Sequence, residues 1–128
     1  MSKKVIIVGG VAGGASTAAR LRRLDESSHI ILFERGKYVS YANCGLPYHV
    51  GDVIPRRDTL LLQTPESLKS KFNIDVRIQQ EVISIDRENK TITVKNLATS
   101  QESVESYDTL VLATGSSPII PNIPGIHS

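Results

Sequence analysis

The chain has 128 residues, 40% of them hydrophobic, and a formal net charge of +2, which suits one soluble globular domain with a real core and excludes two. So small a charge, with no Trp and only two Phe, excludes the basic, aromatic-studded surface of a nucleic-acid binder. A single cysteine excludes an internal disulfide framework, and His29, His49 and His127 stand apart in the chain, so no metal site is expected.

Lys3-Lys4 followed by Val5-Ile6-Ile7-Val8 imitates a secretory signal, but the apolar run is short and Arg20-Leu21-Arg22-Arg23 follows in place of a cleavage region. No apolar stretch approaches the roughly 20 residues that span a bilayer. The expectation is a cytoplasmic protein without a membrane partner. Lys4 to Val8 reads as a buried parallel strand, a β-branched run stopped by glycine. Gly9-Gly10-Val11-Ala12-Gly13-Gly14 then opens a helix to about Leu24. On it Gly14, Ala18 and Leu21 form a small apolar face, and Ser16, Arg20 and Arg23 repeat that spacing on the opposite face. Arg22 points elsewhere and is expected at the surface. After the polar exit Asp25 to Ser28, His29 to Phe33 is a second buried strand ending at Glu34, which completes a β-α-β unit.

A glycine turn between strand and helix lets a pyrophosphate approach backbone N–H groups at the positive end of the helix. Glu34, on the end of the second strand and 20 residues after Gly14, stands where an acidic residue accepts hydrogen bonds from an adenosine ribose. The usual pattern is G-x-G-x-x-G, and its middle glycine is here Val11. A turn that serves only to pack helix on strand is the competing reading. Strand, helix and terminal glutamate together favour a dinucleotide.

Ser40-Tyr41-Ala42-Asn43-Cys44-Gly45-Leu46-Pro47-Tyr48 holds the lone cysteine. A lone thiol is more often a small buried hydrophobe than a reagent. The neighbours, though, suit a tight turn opening a short helix with the sulfur near its first turn, where backbone N–H groups favour a thiolate. Tyr41 and Tyr48 are expected to pack this loop. Gly51 to Thr64 is read as irregular, with Arg56 and Arg57 as ordinary surface charge. Thr64-Pro65-Glu66 carries the signals of an N-cap, a first helical proline and an early acid for a helix to about Phe72, with Lys69 and Lys71 on its surface.

Asp75 to Gln79 is a short strand. Glu81 to Asp86, Lys90 to Lys95 and Val104 to Tyr107 form an antiparallel meander around the turns Arg87 to Asn89 and Asn96 to Ser103. Asp108 to Gly115 returns to a buried parallel strand. The tail, with Pro118, Pro121 and Pro124-Gly125, is extended and leads out of the domain. No element closes the sheet after Ala113, so the chain reads as the front of something longer. The open edge is expected to promote self-association or loss of cofactor.

Three stretches together, Val5 to Gly14 with Glu34, Ala42 to Tyr48, and Leu110-Val111-Leu112-Ala113-Thr114-Gly115-Ser116, resemble the amino-terminal FAD domain of pyridine nucleotide-disulfide oxidoreductases. The resemblance covers essentially the whole chain. The count of one cysteine leaves out the two-cysteine branch, and Asn43-Cys44-Gly45-Leu46-Pro47-Tyr48 is most similar to the single-cysteine branch of coenzyme A-disulfide reductases, which also holds persulfide reductases and NADH oxidases or peroxidases. The Val11 departure is shared within that branch.

The resemblance implies an α/β fold, a Rossmann-like FAD-binding domain with a parallel sheet, helices and a three-stranded antiparallel meander, incomplete at its C-terminal end. It implies an FAD domain at 1–115 and, at 116–128, a linker toward a nicotinamide-binding domain. It places FAD on Gly9, Gly10, Val11, Ala12, Gly13, Gly14, Glu34, Arg35, Val82, Thr114 and Gly115. Cys44 is the redox cysteine, reduced through the flavin by NAD(P)H. Ser16, Arg20, Arg23, Ser40 and Asn43 meet the substrate, coenzyme A disulfide or another small disulfide or persulfide, in a homodimer. The Ser16, Arg20, Arg23 face is the cationic counterpart that the phosphates of coenzyme A call for; the competing reading is a solvated helix face. On this implication the residues 1–128 alone take no hydride from NAD(P)H, since they carry no second dinucleotide fingerprint. Two other readings remain open: an NADH oxidase or peroxidase cycling Cys44 through sulfenic acid, and a nucleotide-binding module with a structural cysteine.

Overall fold

The computed structural model describes residues 3–127, apart from the side chain of Asn43. In chain order the elements are β1 (Lys4–Val8), α1 (Ala12–Leu24), β2 (His29–Glu34), a 3-10 turn (Asn43–Gly45), α2 (Leu46–Val50), a second 3-10 turn (Arg57–Leu60), α3 (Pro65–Phe72), β3 (Asp75–Ile78), β4 (Gln80–Asp86), β5 (Thr91–Asn96), β6 (Glu102–Ser106) and β7 (Thr109–Leu112). The strands make a parallel sheet in the order β3-β2-β1-β7 and an antiparallel meander β4-β5-β6.

Both faces of β1 and β2 are covered, which is why their sequences are continuous β-branched and aliphatic runs. Val5, Ile7, Ile30 and Leu32 point to one face and pack with Ala18 of α1, Leu68 of α3, Val39 and Ile74. Ile6, Ile31 and Phe33 point to the other and pack on Ile92 and Val94 of the meander. Each of these fully buried side chains contributes roughly 1.5–3 kcal/mol, so the two faces hold three layers together. α3 starts as expected. The Thr64 hydroxyl accepts from the Ser67 N–H at 3.1 Å, and the Ser67 hydroxyl accepts from the Thr64 N–H at 2.9 Å.

An ionic cluster joins the layers at their border. Glu105 of β6 accepts from Lys4 Nζ of β1 at 2.6 Å and from Arg77 of β3 at 3.0 Å. Arg77 also pairs with Asp75 and lies over the Phe33 ring, 5.4 Å from its centroid. The crossing from one sheet to the other takes one residue, Gln79, in the left-handed region at φ 53°. Its N–H donates to the Gly36 carbonyl at 3.0 Å, and its carbonyl accepts from the Leu97 N–H at 2.8 Å.

Four expectations change. Arg22 is buried, at 9% exposure. Its Nε donates to the Phe72 carbonyl at 2.7 Å, and its terminal nitrogens donate to the carbonyls of Asp25, Glu26 and Asn73. The ends of α1 and α3 converge there with unpaired carbonyls, and one guanidinium satisfies four of them. The strand after Asp108 is an edge, not a buried strand: β7 pairs only with β1 among the described residues, and Leu112 is 59% exposed. The stretch 51–64 is not wholly irregular, since it holds a 3-10 turn and Leu61 bridges to Tyr41. Tyr41 packs on Tyr38, with ring centroids 6.2 Å apart, but Tyr48 is exposed, because α2 buries none of its residues.

Candidate functional site

The C-terminal ends of the parallel strands open into a cleft of about 420 Å³. It sits where β2 and β7 leave β1 on opposite sides, the topological switch point at which open α/β sheets bind ligands. Val8, Gly9 and Val11 form its floor, Phe33, Glu34 and Arg35 one wall, Gln80 to Val82 a second, and Thr114 to Ser117 the third.

The glycine turn is fixed by close backbone approach. At Gly9, φ is +101° and a Cβ would stand 2.0 Å from the Ala113 carbonyl oxygen; at Gly14 it would stand 1.6 Å from that of Gly9. Helix α1 is thereby seated directly against the strand. Val11, where the usual pattern has glycine, is the N-cap residue at φ −87° and ψ −137°, outside the main regions open to a β-branched residue. No side chain caps this helix, and its first turn holds no acid. Its first N–H groups and the positive end of its dipole are thus free to meet an anion.

Glu34 holds the turn from across the cleft. One carboxylate oxygen accepts from the Gly10 N–H at 2.9 Å, the other from the Gly36 N–H at 2.6 Å. A carboxylate has about four lone-pair sites, so two remain for ligand hydroxyls. An uncapped helix N-terminus and a carboxylate with spare acceptors fit the pyrophosphate and ribose of a dinucleotide.

Of the residues predicted to hold the cofactor, Gly9, Val11, Glu34, Arg35, Val82, Thr114 and Gly115 line this one cleft. Gly10 and Gly14 are buried beneath it, and Ala12 and Gly13 lie on the exposed first turn of α1. Ser16, Arg20 and Arg23 are exposed along α1, with the Arg23 guanidinium 6.0 Å from the Phe72 ring centroid. Cys44 is exposed in the 3-10 turn that leads into α2. Its loop is moored to the glycine turn, since the Ser40 N–H donates to the Gly10 carbonyl at 2.7 Å. Neither Cys44, Ser40 nor the α1 residues line the cleft, and the side chain of Asn43 lies outside the described residues. The sequence reading missed Val8, Phe33, Gln80, Glu81, Ser116 and Ser117 as lining residues. Each lies within two positions of one it did name, and that proximity was the available signal.

The fold and the cleft define a dinucleotide-binding α/β domain. The sequence matches the family described as pyridine nucleotide-disulphide oxidoreductase over residues 3–128, and the chain belongs to that family, whose cofactors are FAD and NAD(P)H. It is 50% identical over 114 residues to a coenzyme A disulfide reductase of Staphylococcus epidermidis, covering 89% of this chain and 26% of that protein. Among solved structures it is similar to the reduced Bacillus anthracis CoADR-RHD, with a TM-score of 0.92 and 55% identity over 99% of this chain and 23% of that one. It is also similar to an NAD-dependent persulfide reductase from A. fulgidus, with a TM-score of 0.89 and 39% identity over 97% of this chain and 23% of that one. The chain thus spans about a quarter of the length of the relatives it matches.

Proposed function

We propose that residues 1–115 are the FAD-holding part of a homodimeric cytoplasmic oxidoreductase that uses NAD(P)H to reduce coenzyme A disulfide, or a related small disulfide or persulfide, with 116–128 leading toward a nicotinamide-binding domain. The observation that carries this reading is the exposed Cys44 on a loop moored to the dinucleotide turn. The names of the similar proteins support the substrate class.

When bound, FAD supplies the two-electron chemistry that links a nicotinamide to a disulfide. The residues do the rest. The N–H groups opening α1 hold the pyrophosphate, Glu34 accepts from ribose hydroxyls, the main chain at Val82 meets the adenine, and Thr114-Gly115 lies along the cofactor. Ser16, Arg20 and Arg23, with Ser40 and Asn43, hold the phosphates and the arm of the substrate. Cys44 loses its proton to solvent and its sulfur attacks one sulfur of the substrate. A Cys44–coenzyme A disulfide forms, the original S–S bond breaks, and one coenzyme A thiolate leaves with the bonding pair.

The test is intact-mass spectrometry after exposure of the protein to coenzyme A disulfide. One coenzyme A adduct on Cys44, absent from Cys44→Ser, is expected. Oxidation to sulfenic acid by peroxide with no adduct would overturn the reading in favour of an oxidase or peroxidase, and an unreactive thiol would leave a nucleotide-binding module. The same 128 residues, carrying one glycine fingerprint, are expected to show no steady-state NADH consumption.

A further inference from the structure

The wall of the cleft formed by Thr114 to Ser117 is held differently from the others. The last backbone hydrogen bond before it runs from the Ala113 N–H to the Val8 carbonyl, and the next along the chain runs from the Ile123 N–H to the Pro121 carbonyl. Gly115 takes φ +66°, and a Cβ there would meet nothing within 4 Å. Among the described residues, one hydrogen bond ties this segment to the body of the fold: Arg35 Nη2 donates to Ser117 Oγ at 2.7 Å, across 82 residues of sequence. Both residues line the cleft. The bond therefore runs from the wall that carries Glu34 to the wall that continues from β7, over the space between them. Arg35 forms no ion pair among the described residues, so its remaining donors are free to face a ligand while one holds the serine.

We propose that the Arg35–Ser117 pair is a strap across the cleft that retains the adenosine end of the bound dinucleotide and sets its rate of escape. The inference rests on the FAD reading above and adds to it a positioning residue, Ser117, and a kinetic role. A ligand seated on the helix N-terminus beneath the strap leaves by passing the Thr114–Ser117 wall. Opening that wall costs the one bond that holds it.

The test is FAD release from the loaded protein, followed as the rise of free-flavin fluorescence after dilution. Ser117→Ala is expected to release FAD about three- to tenfold faster, the rate equivalent of one charge-assisted hydrogen bond at an exposed site, and Arg35→Gln at least as fast, since it also loses the donors that face the ligand. Ser117→Thr, which keeps the hydroxyl, should restore the wild-type rate, and the double variant should be no faster than Arg35→Gln alone, because both single changes remove the same bond. Wild-type release rates in Ser117→Ala, or additive effects in the double variant, overturn the strap while leaving the FAD reading intact. Flavin uptake left unchanged by Glu34→Ala overturns the FAD reading at this cleft and the strap with it.

Discussion

Arg22 shows how far neighbouring residues of one type can differ in role. Arg20, Arg22 and Arg23 lie within four positions on α1, yet Arg22 alone is buried and bonded to four carbonyls, while the other two are exposed. Removing a buried cation that satisfies several acceptors leaves those acceptors unpaired, which is the expensive half of a hydrogen bond. Arg22→Leu is therefore expected to destabilise the fold by about 2–4 kcal/mol. Arg20→Leu and Arg23→Leu should stay within about 1 kcal/mol, Arg23 losing only an exposed contact with Phe72. Urea unfolding of the three variants checks this, and a small loss at Arg22 would refute the capping role. Helical spacing identified the outward face of α1 but could not reveal Arg22, because two of its four main-chain partners lie some 50 residues away at the end of α3. No pattern of side chains announces them.

At the level of elements, the most direct lever on stability is the Lys4–Glu105–Arg77–Asp75 cluster that joins β1, β6 and β3. The Lys4 ammonium bonded to it, and then the Arg77 guanidinium, hold the Glu105 carboxyl below the usual carboxylate range. A depressed carboxylate adds stability that is fully present above its unfolded value, about 4.3, and is lost as the pH falls through the lower folded value. Wild type should thus lose stability between pH 5.5 and 3 more steeply than Glu105→Gln, and the gap between them should narrow on acidification. Urea midpoints at those two pH values decide it; a gap that stays constant would show that the cluster contributes nothing through its charge. The elements on either side were legible for plain reasons. Lys4 to Val8 and His29 to Phe33 are buried on both faces, and Thr64-Pro65 states a helix start outright. The burial of β7 was not legible, because a strand is covered by its neighbour in the sheet, and Leu110-Val111-Leu112 reads alike in the centre and at the edge.

Across the whole molecule, β7 presents an open row of backbone groups beside exposed Leu112, Ile119, Ile120 and Ile123. Such an edge recruits further strands. Sedimentation velocity over a range of concentrations is expected to show self-association that Leu112→Lys reduces, and a protein that stays monomeric at high concentration would contradict this. Of the candidate site, the glycine turn and Glu34 were legible because phosphate and ribose chemistry demand those residues at that spacing. The wall contributed by Gln80 and Glu81 was not, because it depends on the corner at Gln79, where a residue of no special turn propensity takes a left-handed conformation. That corner has a mechanical result. Gln79 is bonded on one side to Gly36, next to Arg35, and on the other to Leu97 at the end of β5. The two walls that carry Glu34–Arg35 and Gln80–Val82 are thus joined into one frame through a single residue. The remaining wall, which continues past Gly115, is tied to that frame by the single Arg35–Ser117 bond, so of the three walls it is the one held by a side chain alone.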